Sequence, residues 1–183
     1  MVYDGLMIDP AIGTLIAGAL ALLFASAAVH KLQDLATFSA SFRAYRVLPW
    51  AGLLGRLVPL AEGLIAAALL LPATRSAGAL AAVALLLAYA LALSVNLARG
   101  RTDLSCGCGG VNERRPIAAW MVWRNLALAL LGALLLLAPA ERPLAAVDFL
   151  TVGAGIVVAT LLYMSLERLL GEVAARRAAW GER

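Results

Sequence analysis

The chain has 183 residues, 63% of them hydrophobic and 14% charged, with a net charge of +4. Its mean hydropathy of +0.91 excludes an ordinary water-soluble domain, whose apolar share stays near about 45–50%. The basic balance does not indicate nucleic acid: the cationic side chains gather at the ends of apolar runs, and no basic stripe is interleaved with aromatics.

A helix needs about 20 mostly apolar residues to cross ~30 Å of hydrocarbon, and the Ala/Leu-rich runs suit helices rather than barrel strands. The first run extends from about Pro10 to Val29, with Pro10 suited to a first helical position. Asp4 and Asp9 precede it without any Lys or Arg, so the positive region of a signal peptide is missing and an uncleaved span is expected, although Ala25-Ser26-Ala27 resembles a cleavage site. His30-Lys31 closes that span. From Leu32 to Trp50, Leu35, Phe38, Phe42, Tyr45 and Leu48 recur among Gln33, Asp34, Ser39, Arg43 and Arg46. This spacing predicts an amphipathic helix at the interface, ended by Pro49 and anchored by Trp50.

The second span is predicted over Leu53 to Leu71, followed by a tight turn at Pro72 and Arg75, and the third over Ala77 to Leu97. A polar loop from Arg99 to Arg115 leads to Pro116 and a fourth span to Ala138. A short turn through Pro139 and Pro143 precedes a fifth span from Leu144 to Leu166, and the charged tail from Glu167 continues as a surface helix. The fold class is therefore an all-α integral membrane protein: a four-helix transmembrane bundle, a fifth span and an interfacial amphipathic helix. Residues 1–138 form the four-helix domain, and residues 139–183 add the fifth helix and tail. Five spans place thirteen basic residues on the side of the loop and only Arg75 and Arg142 on the other, which argues that the loop faces the cytoplasm.

Both cysteines of the chain fall in that loop, in Ser105-Cys106-Gly107-Cys108-Gly109-Gly110. The glycines allow positive φ, so the two sulfurs can turn toward each other. Cysteines two apart make a small, strained ring, and strained exposed disulfides are the exchange-competent kind. So short a loop removes little entropy from the unfolded chain, which disfavours a structural staple. Cations lower a thiol's pKa, and Arg99, Arg101, Arg114 and Arg115 flank the pair. Cys106 and Cys108 are the candidate catalytic residues. His30, the only histidine, is a candidate proton relay or third soft-metal ligand.

A charge deep in a span costs about 2.5–3.5 kcal/mol, so such residues face the interior and pair. Glu62 and Arg124 both lie roughly 8–15 Å below the loop surface at 1.5 Å per residue. A buried Glu62–Arg124 ion pair beneath the thiols is expected, with Asn96 and Asn125 completing the cluster. Trp120 and Trp123 read as interface anchors. The chain has no phosphate loop, no Ser/His/Asp constellation and no four-ligand zinc spacing.

Taken together, His30-Lys31-Leu32, Tyr45-Arg46-Val47-Leu48-Pro49, Pro59-Leu60-Ala61-Glu62-Gly63, Asn96-Leu97-Ala98-Arg99-Gly100-Arg101, Cys106-Gly107-Cys108-Gly109-Gly110, Trp120 and Arg124-Asn125 resemble the methylamine utilisation protein MauE family and its DoxX-like relatives. The resemblance covers residues 10 to 138 or so. Gly109 departs from it, since many relatives have an aromatic soon after the second cysteine. The resemblance implies a multi-pass protein of the bacterial inner membrane. It also implies a part in maturing an exported quinoprotein dehydrogenase subunit, alongside a thioredoxin-like partner. A periplasmic client wants periplasmic thiols, in tension with the charge count. The leading expectation is a thiol–disulfide oxidoreductase component using Cys106 and Cys108, with His30, Glu62, Arg124, Asn125 and Arg101 in support. The alternatives are a Cu(I)-handling membrane protein and a non-catalytic assembly factor. The expected partners are the lipid bilayer, the thioredoxin-like protein and the exported client. No cofactor is fixed, with a quinone left open.

Overall fold

The computed structural model describes residues 7–45, 51–101 and 117–181. The described chain is helical apart from a two-residue parallel bridge. In order, it contains β1 (Met7–Ile8), α1 (Pro10–Gln33), α2 (Leu35–Ala44), α3 (Ala51–Leu70), α4 (Arg75–Ala98), α5 (Ala119–Leu134), β2 (Ala138–Pro139) and α6 (Ala146–Gly181). Three of these helices, α1, α4 and α6, are long and apolar enough to cross a membrane, and α5 is a shorter apolar helix. Phe149, Leu150, Leu161 and Leu162 on α6 are all exposed, a surface suited to lipid and not to water. The chain folds as a helical membrane protein.

Local chemistry sets the boundaries. Asp9 caps α1, its Oδ1 accepting the Ala11 N–H at 2.8 Å, and Pro10 occupies the first turn, where its missing N–H costs nothing. Asp34 breaks α1 from α2 with φ −136° and ψ 67°, and its Oδ1 accepts the Thr37 N–H at 3.0 Å to start α2. Between α3 and α4, Thr74 Oγ1 donates to the Ala68 carbonyl at 3.0 Å. Gly100 takes φ +68° and Arg101 N–H reaches back to the Asn96 carbonyl at 3.0 Å. This left-handed glycine stop turns the chain out of α4 toward the cysteine loop.

The apolar core is shared by α1 (Ile16, Leu20, Phe24), α3 (Ile65, Leu69), α4 (Ala79, Ala82, Leu86) and the α5 region (Ala129, Leu135). Helix α2 packs on α3, and α6 packs on α1. Small residues allow close approach, as membrane helices require in the absence of a hydrophobic drive. A Cβ on Gly78 would stand 3.0 Å from the Ala68 and Leu69 backbone, whereas one on Gly63 would meet nothing within 4 Å. Gly78→Leu is therefore expected to lower stability by about 1–3 kcal/mol through forced separation of α3 and α4. Gly63→Ala should leave stability unchanged or raise it by about 0.5–1 kcal/mol. Unfolding titrations in mixed micelles check both.

At the end of the bundle opposite the cysteine loop, Arg142 ties the start of α1 to that of α6. Its Nε and Nη2 donate to Asp9 at 2.8 and 2.9 Å, and Nη1 and Nη2 donate to Asp148 at 2.8 and 3.1 Å. The Arg142 hydrogen bond holds the Asp9 carboxyl below its ordinary value of 3.8. A depressed carboxylate stabilises above its unfolded value and loses that contribution as pH falls through the folded one. The thermal midpoint should be level from neutral pH down to that ordinary value and fall below it. Arg142→Met should remove much of this acid step.

Several boundaries differ from the sequence expectation: α1 runs on through His30 and Lys31 to Gln33, and the amphipathic helix begins only at Leu35. The fourth span was expected to reach Ala138, but α5 stops at Leu134, and Ala138–Pro139 pair instead with Met7–Ile8. The tail from Glu167 was expected to continue the fifth span as a surface helix, and it follows without a break: α6 is one helix of 36 residues. At 1.5 Å per residue it far exceeds the ~30 Å of a bilayer core.

Candidate functional site

Polar side chains inside the bundle collect at the loop end. Lys31, on the last turn of α1, is 6% exposed, and Glu62, midway along α3, is 1% exposed. The two form an ion pair through Glu62 Oε1. Tyr89 of α4 donates its hydroxyl to the same Oε1 at 2.7 Å, and Lys31 Nζ donates to the Tyr89 oxygen at 3.2 Å. The ammonium also lies 5.2 Å from the Phe38 ring centroid and 5.0 Å from that of Tyr89, where ring quadrupoles stabilise a cation. Four helices, α1 to α4, thus converge on one charged triad.

A second pair stands beside it. Arg124 of α5 pairs with Glu167 of α6, Tyr163 donates to Glu167 Oε1 at 2.9 Å, and the Arg124 guanidinium lies 5.5 Å from the Trp120 ring. The expected Glu62–Arg124 pair is not formed. Both residues line the same cleft, so the inference of a shared layer holds, but each has a nearer partner. Lys31 turns inward instead of closing the span toward water, and the unbroken α6 brings Glu167 to Arg124.

The other predicted site residues divide. Asn125 is buried on the cleft wall with its Nδ2 donating to the Met121 carbonyl at 2.7 Å. Asn96 is buried but does not line the cleft; its Oδ1 accepts from Arg101 at 3.2 Å. Arg101 also donates to the Ala44 carbonyl at 2.8 Å and the Tyr45 carbonyl at 3.4 Å, placing a cation at the C-terminus of α2 where the helix dipole favours it. His30 is exposed and lies on the cleft's rim. Trp120 is half-buried against Arg124, and only Trp123 is exposed as an anchor should be.

Cys106 and Cys108 lie outside the described residues, as do Arg46, Pro49, Trp50, Arg114, Arg115 and Pro116. What is described is how the cysteine loop leaves and returns. Arg101 is tied to the end of α2, and Ile117, 2% exposed, packs with Leu93 and Met121 against Tyr45 and Trp120. Burial pushes the Tyr45 hydroxyl up to about 12, so it stays protonated. Among the described residues no group of three or more His, Cys, Asp or Glu could hold a metal ion.

The cleft has a volume of about 100 Å³. Lys31, Tyr89, Tyr163 and Glu167 were not singled out as site residues. The signal for Lys31 was in the composition: it is the chain's only lysine, every other basic side chain being Arg. Tyr89 is likewise the one aromatic in the apolar run of α4.

The model of the methylamine utilisation protein MauE family matches residues 9–138. The chain belongs to the MauE family. It is 38% identical over 165 residues to the methylamine utilization protein MauE of Paracoccus denitrificans, covering 87% of each chain. It is 40% identical over 172 residues to that of Paracoccus versutus, covering 92% and 91% of the two chains. The MauE of Methylophilus methylotrophus is 33% identical over 178 residues, covering 92% and 90%. No solved structure matches. The MauE family match ends at residue 138, so it includes Lys31, Glu62, Tyr89 and Arg124, while Tyr163 and Glu167 on α6 lie beyond it.

Proposed function

We propose that this MauE-family chain acts in methylamine utilisation as a multi-pass inner-membrane protein that exchanges thiols and disulfides through Cys106 and Cys108 to support maturation of an exported protein. The observation carrying this reading is that both cysteines of the chain stand two apart in one loop. It is supported by the anchoring of both ends of that loop at the same end of the bundle, Arg101 on α2 and Ile117 in the Leu93–Met121 cluster. Residues 1–138 form the four-helix core of this reading, and residues 139–183 supply a fifth crossing.

In the exchange, the thiolate of one cysteine attacks a disulfide of a thioredoxin-like partner, and one partner sulfur leaves as thiolate. The second cysteine then attacks the mixed disulfide, releasing the partner as dithiol and closing Cys106 to Cys108. The partner is reduced by two electrons and the chain oxidised by two; the reverse sequence donates reducing equivalents. The excess of basic residues at the loop side favours a cytoplasmic loop, although Lys31, Arg101 and Arg124 have partners that account for them without topology.

Single-cysteine variants test the reading. Cys106→Ser or Cys108→Ser should retain a thioredoxin-like protein as a mixed disulfide that reductant releases, and labelling with a membrane-impermeant thiol reagent on cells and inverted vesicles should give the side. Absence of any mixed disulfide with either variant would remove the exchange reaction.

A further inference from the structure

Helix α6 outruns the bundle it belongs to. One guanidinium, that of Arg142, holds both Asp9, the cap of α1, and Asp148, in the first turn of α6, so the two helices start level. At 1.5 Å per residue α1 then rises about 36 Å, and α6 climbs about 50 Å beyond Asp148. Hydrocarbon takes up ~30 Å of that height, which puts α6 outside the lipid core from about Arg168 on. The exposed charges of Arg168, Glu172 and Arg176 agree.

Two apolar side chains interrupt this charged stretch: Leu169 is 60% exposed and Val173 39%. They continue a pattern. Leu162, Leu166, Leu169 and Val173 are all exposed at spacings of four, three and four. The stripe they form lies away from Val152, which is buried, and from Glu167, which turns to Arg124. Lipid covers the lower half of the stripe. It does not cover the upper half, where charge stands exposed at the same height.

A repeat of four and three apolar steps is the seam of two supercoiled helices. With Leu162 and Leu169 at d and with Leu166 and Val173 at a, Glu172 falls at g and Arg177 at the following e. In a parallel pair, g of one helix faces the following e of the other, so acid meets base on both sides of the seam. A second copy in the same membrane is parallel by necessity. Glu172 has no ion pair among the described residues, which leaves it available for that contact.

We propose that α6 pairs with α6 of a second copy through Leu162, Leu166, Leu169 and Val173, forming a parallel dimer whose seam begins in the bilayer and continues into water. The Lys31–Glu62 and Arg124–Glu167 pairs stay within each protomer, because they lie on the bundle side of α6. Since α6 extends at the loop end, the pairing brings two cysteine loops to one end of a single assembly.

Cysteine cross-linking of the full chain, purified and reconstituted in bilayers at low protein density, tests the dimer. In a background of Cys106→Ser and Cys108→Ser, a mild oxidant should convert most of Leu169→Cys and of Val173→Cys to a disulfide-linked dimer. Arg168→Cys, exposed at the same height but off the seam, should stay monomeric. Adding Glu172→Arg to Val173→Cys should slow its cross-linking by on the order of fivefold, and Arg177→Glu on top of it should restore the rate. Leu169, Val173, Glu172 and Arg168 are exposed, so their replacement leaves the packed core intact. Equal cross-linking of Arg168→Cys, or monomer from all three positions, would overturn the pairing. So would a loss on Glu172→Arg that Arg177→Glu deepens. No native thiol takes part, so failure here would leave the proposed function standing.

Discussion

Glu62→Gln should lower the stability of the protein by about 3–5 kcal/mol, because it leaves the Lys31 ammonium buried without its counter-charge. Lys31 and Glu62 are both almost wholly removed from solvent, so neither charge can be rescued by a small side-chain movement. Lys31→Met should be of similar cost, since the carboxylate would then be held by Tyr89 alone. The double variant, Lys31→Met with Glu62→Gln, should recover most of the loss, because a neutral pair of similar volume carries no desolvation penalty. Coupling of this kind between contacting residues usually amounts to about 0.5–3 kcal/mol and should exceed that range here. Tyr89→Phe should cost less, about 1–3 kcal/mol, as the hydrogen bond to Glu62 disappears but the charges stay paired. Unfolding of the purified protein in mixed micelles gives all four values; a double variant as unstable as the sum of the singles would contradict the pairing.

Substituting either cysteine should have the opposite profile. Cys106→Ser and Cys108→Ser are expected to reduce maturation of the exported client to background. The unfolding free energy should stay within about 0.5 kcal/mol, since a one-residue disulfide loop constrains the unfolded chain little. The two sets of variants therefore separate. Changes in the triad lower the amount of protein in the membrane, whereas changes in the loop leave the amount and remove the activity. Client maturation and membrane abundance, measured on the same cells, distinguish them. Full maturation with both cysteines replaced would make the chain an assembly factor without thiol chemistry.

Much of this arrangement was legible before any coordinates. Pro10 marked the start of α1 because its φ preference is local, and Pro72-Arg75 marked the α3–α4 turn for a similarly local reason, whereas the Asp9 cap was not read from the sequence. Glu62 was identified as an interior group by the cost of a carboxylate in lipid, which depends only on depth. Its partner was not identified, because pairing depends on the rotation of each helix about its axis. A helix that is apolar all round, as α1 is, gives no periodic signal of which face turns inward. Lys31 at a span end looked able to reach water, and only the packing of α2 over it, with Phe38 against the ammonium, shuts that route. Glu167 was read as the first residue of a tail because charge normally ends a span. The helix continues through it, and a long side chain at that depth can turn back to Arg124.

The measurement that bears most directly on the proposed chemistry is the redox state of the two cysteines in native membranes. Membranes quenched in acid are alkylated before and after reduction, and the peptide carrying Cys106 and Cys108 is weighed. A cycling pair predicts a population that takes up no alkyl groups before reductant and one on each sulfur after it, with the proportion shifting when the thioredoxin-like partner is removed. Two freely alkylated thiols in every membrane preparation, unchanged by reductant or partner, would contradict it.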